Sequence, residues 1–283
     1  RSIHDLVKAG DLFGAYVQWG AEMQTGVDPL ADDDLTRTIW NRIVDSAERH
    51  NAPGVFSALH GFEWSSSYQA NNLHRIVMFR DDANKVKDLV PFSNYDSSDP
   101  EDLWDWMETY EANTGGQVMS FAHNGNLSNG LMFDDVKLGT DQRLDADYAA
   151  RRARWEPLYE VTQMKGDGEA HPLLSPDDEF ADYENWDRGN WAGEKKTPEM
   201  LPHDYARSAL KIGLQLEDKL GVNPFKFGMV GATDSHTSLS TTREDNYFGK
   251  VALMEPGEDR FKGQIVPDPQ GVGTATYEFE TIA

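Results

Sequence analysis

Short apolar runs alternate with amphipathic stretches along this chain, and four of those runs meet a metal-capable residue at or beside one end. Residues 55–62 (VFSALHGF) run into Glu63, and His74 opens residues 74–79 (HRIVMF). Residues 118–122 lead into His123, and residues 227–232 (FGMVGA) lead to Asp234 and His236. Residues 32–50, 100–113, 141–155 and 204–220 read as helices. The first opens with acids and repeats Leu35, Ile39, Ile43 and Ala47, and the second has Pro and two acids in its first turn. Residues 158–162 (LYEVT) are a further strand, and 251–254 and 275–282 read as later ones. Such alternation favours an α/β fold over an all-β sandwich or a helix bundle.

Charge narrows the partners. The 283 residues carry 26 basic against 49 acidic side chains, a formal charge of −23, which disfavours nucleic acid and anionic membranes. No apolar run approaches the roughly 20 residues of a membrane-spanning helix. The absence of cysteine excludes disulfides, thiolate zinc sites and a cysteine nucleophile. No repeat or linker divides the chain, so residues 1–283 read as one domain. A long acidic loop rich in Pro, Trp and Gly spans about 166–203, a length that implies a functional or docking role. Periplasm and cytoplasm both remain open as compartments.

The chemistry concentrates at strand ends. In parallel α/β folds catalytic groups project from the C-terminal strand edge. Residues two apart in extended chain point the same way, so Asp234 and His236 can reach one ion or two adjacent ones. Carboxylate beside imidazole suits zinc, manganese or iron better than calcium. His4, His50, His60, His171 and His203 read instead as hydrogen-bonded structural residues.

Gly61-Phe62-Glu63, His74-Arg75-Ile76-Val77, Phe121-Ala122-His123 and Asp234-Ser235-His236 resemble, in that order, the metal-ligand motifs of the PHP (polymerase and histidinol phosphatase) superfamily. The texture over residues 55–255 is similar to a large bacterial PHP-like family described as a domain of unknown function. The resemblance implies a distorted, TIM-like (β/α)7 barrel binding two or three divalent ions, and hydrolysis of phosphate esters by metal-bound hydroxide. It implies Glu63, His74, His123, Asp234 and His236 as metal ligands. Glu63 and His123 would take part in catalysis, and Glu160 would be an outer carboxylate or substrate contact. PHP proteins open with a His-x-His strand, which this sequence lacks. The resemblance therefore makes the chain either a C-terminal portion of the barrel or a member that has lost half its site, with an apolar edge at 55–62 covered by a missing N-terminal segment, by a homo-oligomer contact or by the helices of residues 1–51.

The expected function is a metal-dependent phosphoesterase acting on a small phosphate ester, with Arg75, Lys165 and Arg243 as candidate substrate cations. Two alternatives stand beside it. One is another metal hydrolase, cleaving C–N or sulfate-ester bonds. The other is a non-catalytic binding protein with a degenerate site, for which Trp186 and Trp191 could form a carbohydrate or protein platform.

Overall fold

The computed structural model describes residues 2–28, 31–236 and 243. Three helices come first: α1 (Ile3–Lys8), α2 (Leu12–Gln24) and α3 (Asp33–His50). Strands β1 (His60–Trp64) and β2 (Arg75–Phe79) follow, then α4 (Ala83–Val86), α5 (Pro100–Thr114) and β3 (Val118–His123). The chain continues through α6 (Ala146–Trp155), β4 (Leu158–Gln163), β5 (Gly166–Asp167), α7 (Ala206–Leu220) and β6 (Gly228–Gly231). The expected strands at 251–254 and 275–282 lie outside the described residues. No helix among the described residues is long and apolar enough to cross a membrane.

Local chemistry sets the helix limits. Asp32, Asp99 and Asp145 cap α3, α5 and α6 by accepting from backbone N–H groups of the first turn. Gly115 and Gly221 end α5 and α7 at φ 61° and 78°, the left-handed conformation that glycine adopts without penalty. The helix expected from residue 141 starts only at Ala146, because Val136 and Arg143 form a β-bridge just before it.

The expected barrel is not what forms. The described strands make one open, mixed sheet: β1, β2 and β3 are successively antiparallel, β4 is parallel to β3, and β6 is parallel to β4. The two-residue strand β5 folds back antiparallel on the end of β4. Residues 65–74 join β1 to β2, too short a connection for the dozen or more residues that a parallel crossover needs. Among the described residues, only β3–α6–β4 and β4–α7–β6 are helix-bearing crossovers between parallel neighbours. On β4, Glu160 pairs with Val230 and Thr162 with Gly231, so Val161 is the extra residue of a β-bulge.

The core is aromatic. Trp40, Phe62, Phe79 and Trp106 form a chain of edge and tilted contacts with ring centres 5.6–6.3 Å apart. On α3 the buried residues are Trp40 and Val44, while Leu35, Ile39 and Ile43 are about half exposed. Val55, Phe56 and Leu59, before β1, are exposed too. On α7, Ala209 and Leu216 are buried, with Ile212 and Leu220 packed beside them.

Arg75 belongs to this interior. Its Nε donates to Glu156 Oε1 at 2.9 Å, and Glu156 Oε2 lies 3.3 Å from Arg152 Nε. Trp104 Nε1 donates to the same Glu156 Oε1 at 3.1 Å. The Glu156 carboxyl stays below its ordinary range: burial pushes it up, but the charges of Arg75 and Arg152 prevail.

Candidate metal centre

Strand direction explains why distant residues meet. Because β1, β3, β4 and β6 run one way and β2 the other, four C-terminal ends share an edge with the start of β2. Glu63 lies near the end of β1, His74 just before β2, His123 at the end of β3, and Asp234 and His236 beyond β6. Ligand atoms of Glu63, His74 and His123 all lie within 4.8 Å of one another, and so do those of Glu63, Asp234 and His236. All five residues implied as ligands are thus gathered around one carboxylate.

Glu63 Oε1 is 2.7 Å from His74 Nδ1 and 3.4 Å from His123 Nε2. The shorter contact is a hydrogen bond. His74 Nε2 faces Ser67 Oγ at 3.3 Å, so the Nδ1–H tautomer, donating to Glu63, satisfies both ring nitrogens. The longer contact lies outside hydrogen-bond geometry. Both ring nitrogens of His123, a fully buried residue, lack a hydrogen-bond partner among the described residues. Two ligands of one tetrahedral ion, with bonds of about 2.0–2.2 Å, stand roughly 3.3 Å apart. The His123–Glu63 spacing has that span, and a buried imidazole without a partner is otherwise costly. The donor types and the His123–Glu63 spacing suit a zinc-like ion, for which His74 would exchange its 2.7 Å hydrogen bond to Glu63 for the metal.

Electrostatics point the same way. Burial would raise the Glu63 carboxyl, but the imidazoles of His123 and His74 outweigh it and hold the group well below the carboxylate range. Burial lowers His74, opposed by Glu63 and aided by His123 and Lys165. Ionised carboxylate and neutral imidazole are the forms that bind metal.

Glu160 sits beside the cluster, opposite His123 across the β3–β4 pair. It is buried, its Oε1 has no partner among the described residues, and burial pushes its carboxyl upward. Lys165, in the β4–β5 turn, is buried with its Nζ against Asp234 Oδ2 and 6.0 Å from the Trp191 ring centre. Arg75, expected at the substrate, is not there, because its guanidinium is committed to Glu156 in the core. Arg243 is exposed, and its chain neighbours lie outside the described residues.

Sequence reasoning missed three contributors. Asn124 follows His123 at φ 51°, a left-handed conformation that Asn tolerates, and its Oδ1 accepts from Gln163 Nε2 at 2.6 Å. Gln163 Nε2 also reaches Asp234 Oδ2 at 2.9 Å. Gly125 permits close packing, since a Cβ there would fall 2.3 Å from the Asp204 carbonyl oxygen. The Asn-Gly step after His123 is a turn signal visible in the sequence, whereas nothing marked Gln163. Trp191, read as one half of a platform, places its ring centre 6.4 Å from that of His74 at a 31° tilt. Its loop is held by buried Asn190, which donates to Asn71 Oδ1 at 2.8 Å, and by the buried Lys196–Asp204 pair.

Two open grooves lie elsewhere. One of about 830 Å³ runs between α5 and α6 beside Glu108, Glu111, Arg151 and Arg154, and one of about 640 Å³ lies over residues 174–180 and Lys211. Neither holds a cluster of the kind gathered at Glu63.

Neither a curated protein nor a solved structure matches the chain significantly. The sequence model of the family described as "Protein of unknown function (DUF3604)" matches residues 11–277 of the 283, and the chain belongs to that family.

Proposed function

We propose that the protein is a metal-dependent hydrolase, with small phosphate esters as its substrate class. The observation that carries this reading is the Glu63–His74–His123 cluster at the shared strand edge, where the buried His123 ring nitrogens have no hydrogen-bond partner among the described residues. These three residues would hold a divalent ion such as zinc, manganese or iron. Such an ion supplies a Lewis acid that brings the pKa of water towards about 7 and polarises a phosphoryl oxygen.

The chain's own groups have complementary work. Lys165 offers a buried ammonium beside the cluster to hold an anionic substrate oxygen. Glu160, its carboxyl raised by burial, can keep a proton and deliver it to a leaving oxygen. The indole of Trp191 walls the cluster beside His74 and limits water. The phosphoester reading over C–N hydrolysis rests on this single cation and on the sequence resemblance.

The test is turnover of an aryl phosphate by metal-stripped protein re-supplied with zinc or manganese, with Glu63→Gln alongside. Metal-dependent release by the wild type, lost in the variant, is expected. Metal binding without release of any aryl phosphate, sulfate or amide would leave a binding protein.

A further inference from the structure

We infer that Lys165 is the second cation of this centre: one metal ion sits at Glu63–His74–His123, and the ammonium stands on Asp234 where a second ion would bind. The inference rests on the metal-centre reading above and sets its stoichiometry.

The two donor sets that share Glu63 are not equivalent. The His74–His123 set is largely buried, with the His74 and Glu63 side chains 14% and 22% exposed, and both ring nitrogens of fully buried His123 lack a hydrogen-bond partner among the described residues. The Asp234–His236 set already holds a positive charge. Asp234 Oδ2 receives both Lys165 Nζ and Gln163 Nε2, and the two charged side chains are only 5% and 8% exposed. His236 is exposed, and its Nδ1 lies 2.7 Å from the Asp234 carbonyl oxygen.

Lys165 is built into this position. Its backbone N–H donates to Gln163 Oε1 at 2.7 Å, and its carbonyl accepts from Asn126 Nδ2 at 3.0 Å. The tight β4–β5 turn therefore fixes the base of the side chain, and Trp191 faces its tip. Withdrawing the ammonium from Asp234 would separate a buried cation from its paired carboxylate and leave it only the more distant charge of Glu160, an arrangement proteins pay for heavily. Leaving it in place while a dication binds the same carboxylate sets like charges a few ångströms apart, inside a partly dehydrated site where repulsion is weakly screened. Either route disfavours a second ion. An ammonium is also a point charge with three donors, so a donor beyond the Asp234 contact can hold a substrate oxygen.

The experiment is a calorimetric titration of the metal-stripped chain with zinc, and separately manganese, checked by elemental analysis after gel filtration. Wild type, Lys165→Met and Lys165→Gln are compared, with circular dichroism confirming that each is folded. The expected ratios are one ion per chain for wild type and two for both variants. The second ion should disappear when Asp234→Asn is added to Lys165→Met. Two ions on wild type, or one ion on both folded lysine variants, would overturn the inference while leaving the metal centre standing. No ion on wild type would instead defeat the metal-centre reading and this inference with it.

Discussion

His123 and Glu160 are register partners on the parallel strands β3 and β4, and each keeps polar side-chain atoms buried without a hydrogen bond among the described residues. Natural interiors rarely tolerate even one such atom, so their pairing at one strand edge marks a place where the fold gives up stability.

Glu160 should show that cost as a pH effect. Burial raises its carboxyl, with His123 opposing and Asp234 and Glu63 adding. A carboxyl whose pKa is higher in the folded protein binds its proton more tightly there. It therefore supports folding at low pH, and that support is lost as pH rises from about 4.3 through the folded value. In metal-stripped protein, the urea midpoint of Glu160→Gln should gain on wild type between about pH 4 and pH 8. A gap between the two that stays constant across that range would refute this.

Glu63 is common to both donor sets, so Glu63→Gln should weaken metal binding by more than the roughly 10–100-fold that an outer-sphere partner costs. Isothermal titration with zinc measures it. The equivalent change at Glu160 should stay inside that range.

Glu156 lies between Arg75 and Arg152 in the core. Glu156→Ala leaves two buried guanidinium groups uncompensated and should cost about 3–5 kcal/mol in urea unfolding. Because Arg75 is bound in this network, it should not contact substrate. A folded Arg75→Met protein should keep its KM for any ester that the wild type hydrolyses.

Trp191 flanks the cluster, but Asn190 and the Lys196–Asp204 pair hold its loop. Trp191→Ala should therefore lower kcat/KM up to about tenfold, the scale of one lost aromatic contact, with little change in Tm. A large fall in Tm with unchanged kcat/KM would make the indole a loop anchor instead.

The strand ends were legible in the sequence because three apolar runs lead to a metal-capable residue and a fourth opens on one. β3 and β4 form within one residue of the runs read for them, and β1 ends at Trp64, one residue beyond Glu63. Strand direction was not legible, since an apolar run reads the same whichever way its neighbour points. The clue was the short 65–74 connection, which permits only an antiparallel partner. Arg75 was misplaced for a related reason: sequence shows its nearness to His74, but alternation sends the two side chains to opposite faces of β2. On α3 the periodic Leu35, Ile39 and Ile43 suggested one face, yet Trp40 and Val44 are buried, because the bulky indole finds its partners in Phe62 and Phe79.

The bulge at Val161 gives β4 one residue more than β6 over the same span. Strand alternation before it positions Glu160, and alternation restarted after it positions Gln163 and, through the turn, Lys165. Deleting Val161 would let β4 and β6 pair without interruption while rotating Gln163 to the opposite side of the strand. The chain's tolerance for length change should thus be uneven over a few residues. A single codon lost here could leave a sheet that folds and a carboxylate, Asp234, that no longer meets its ammonium.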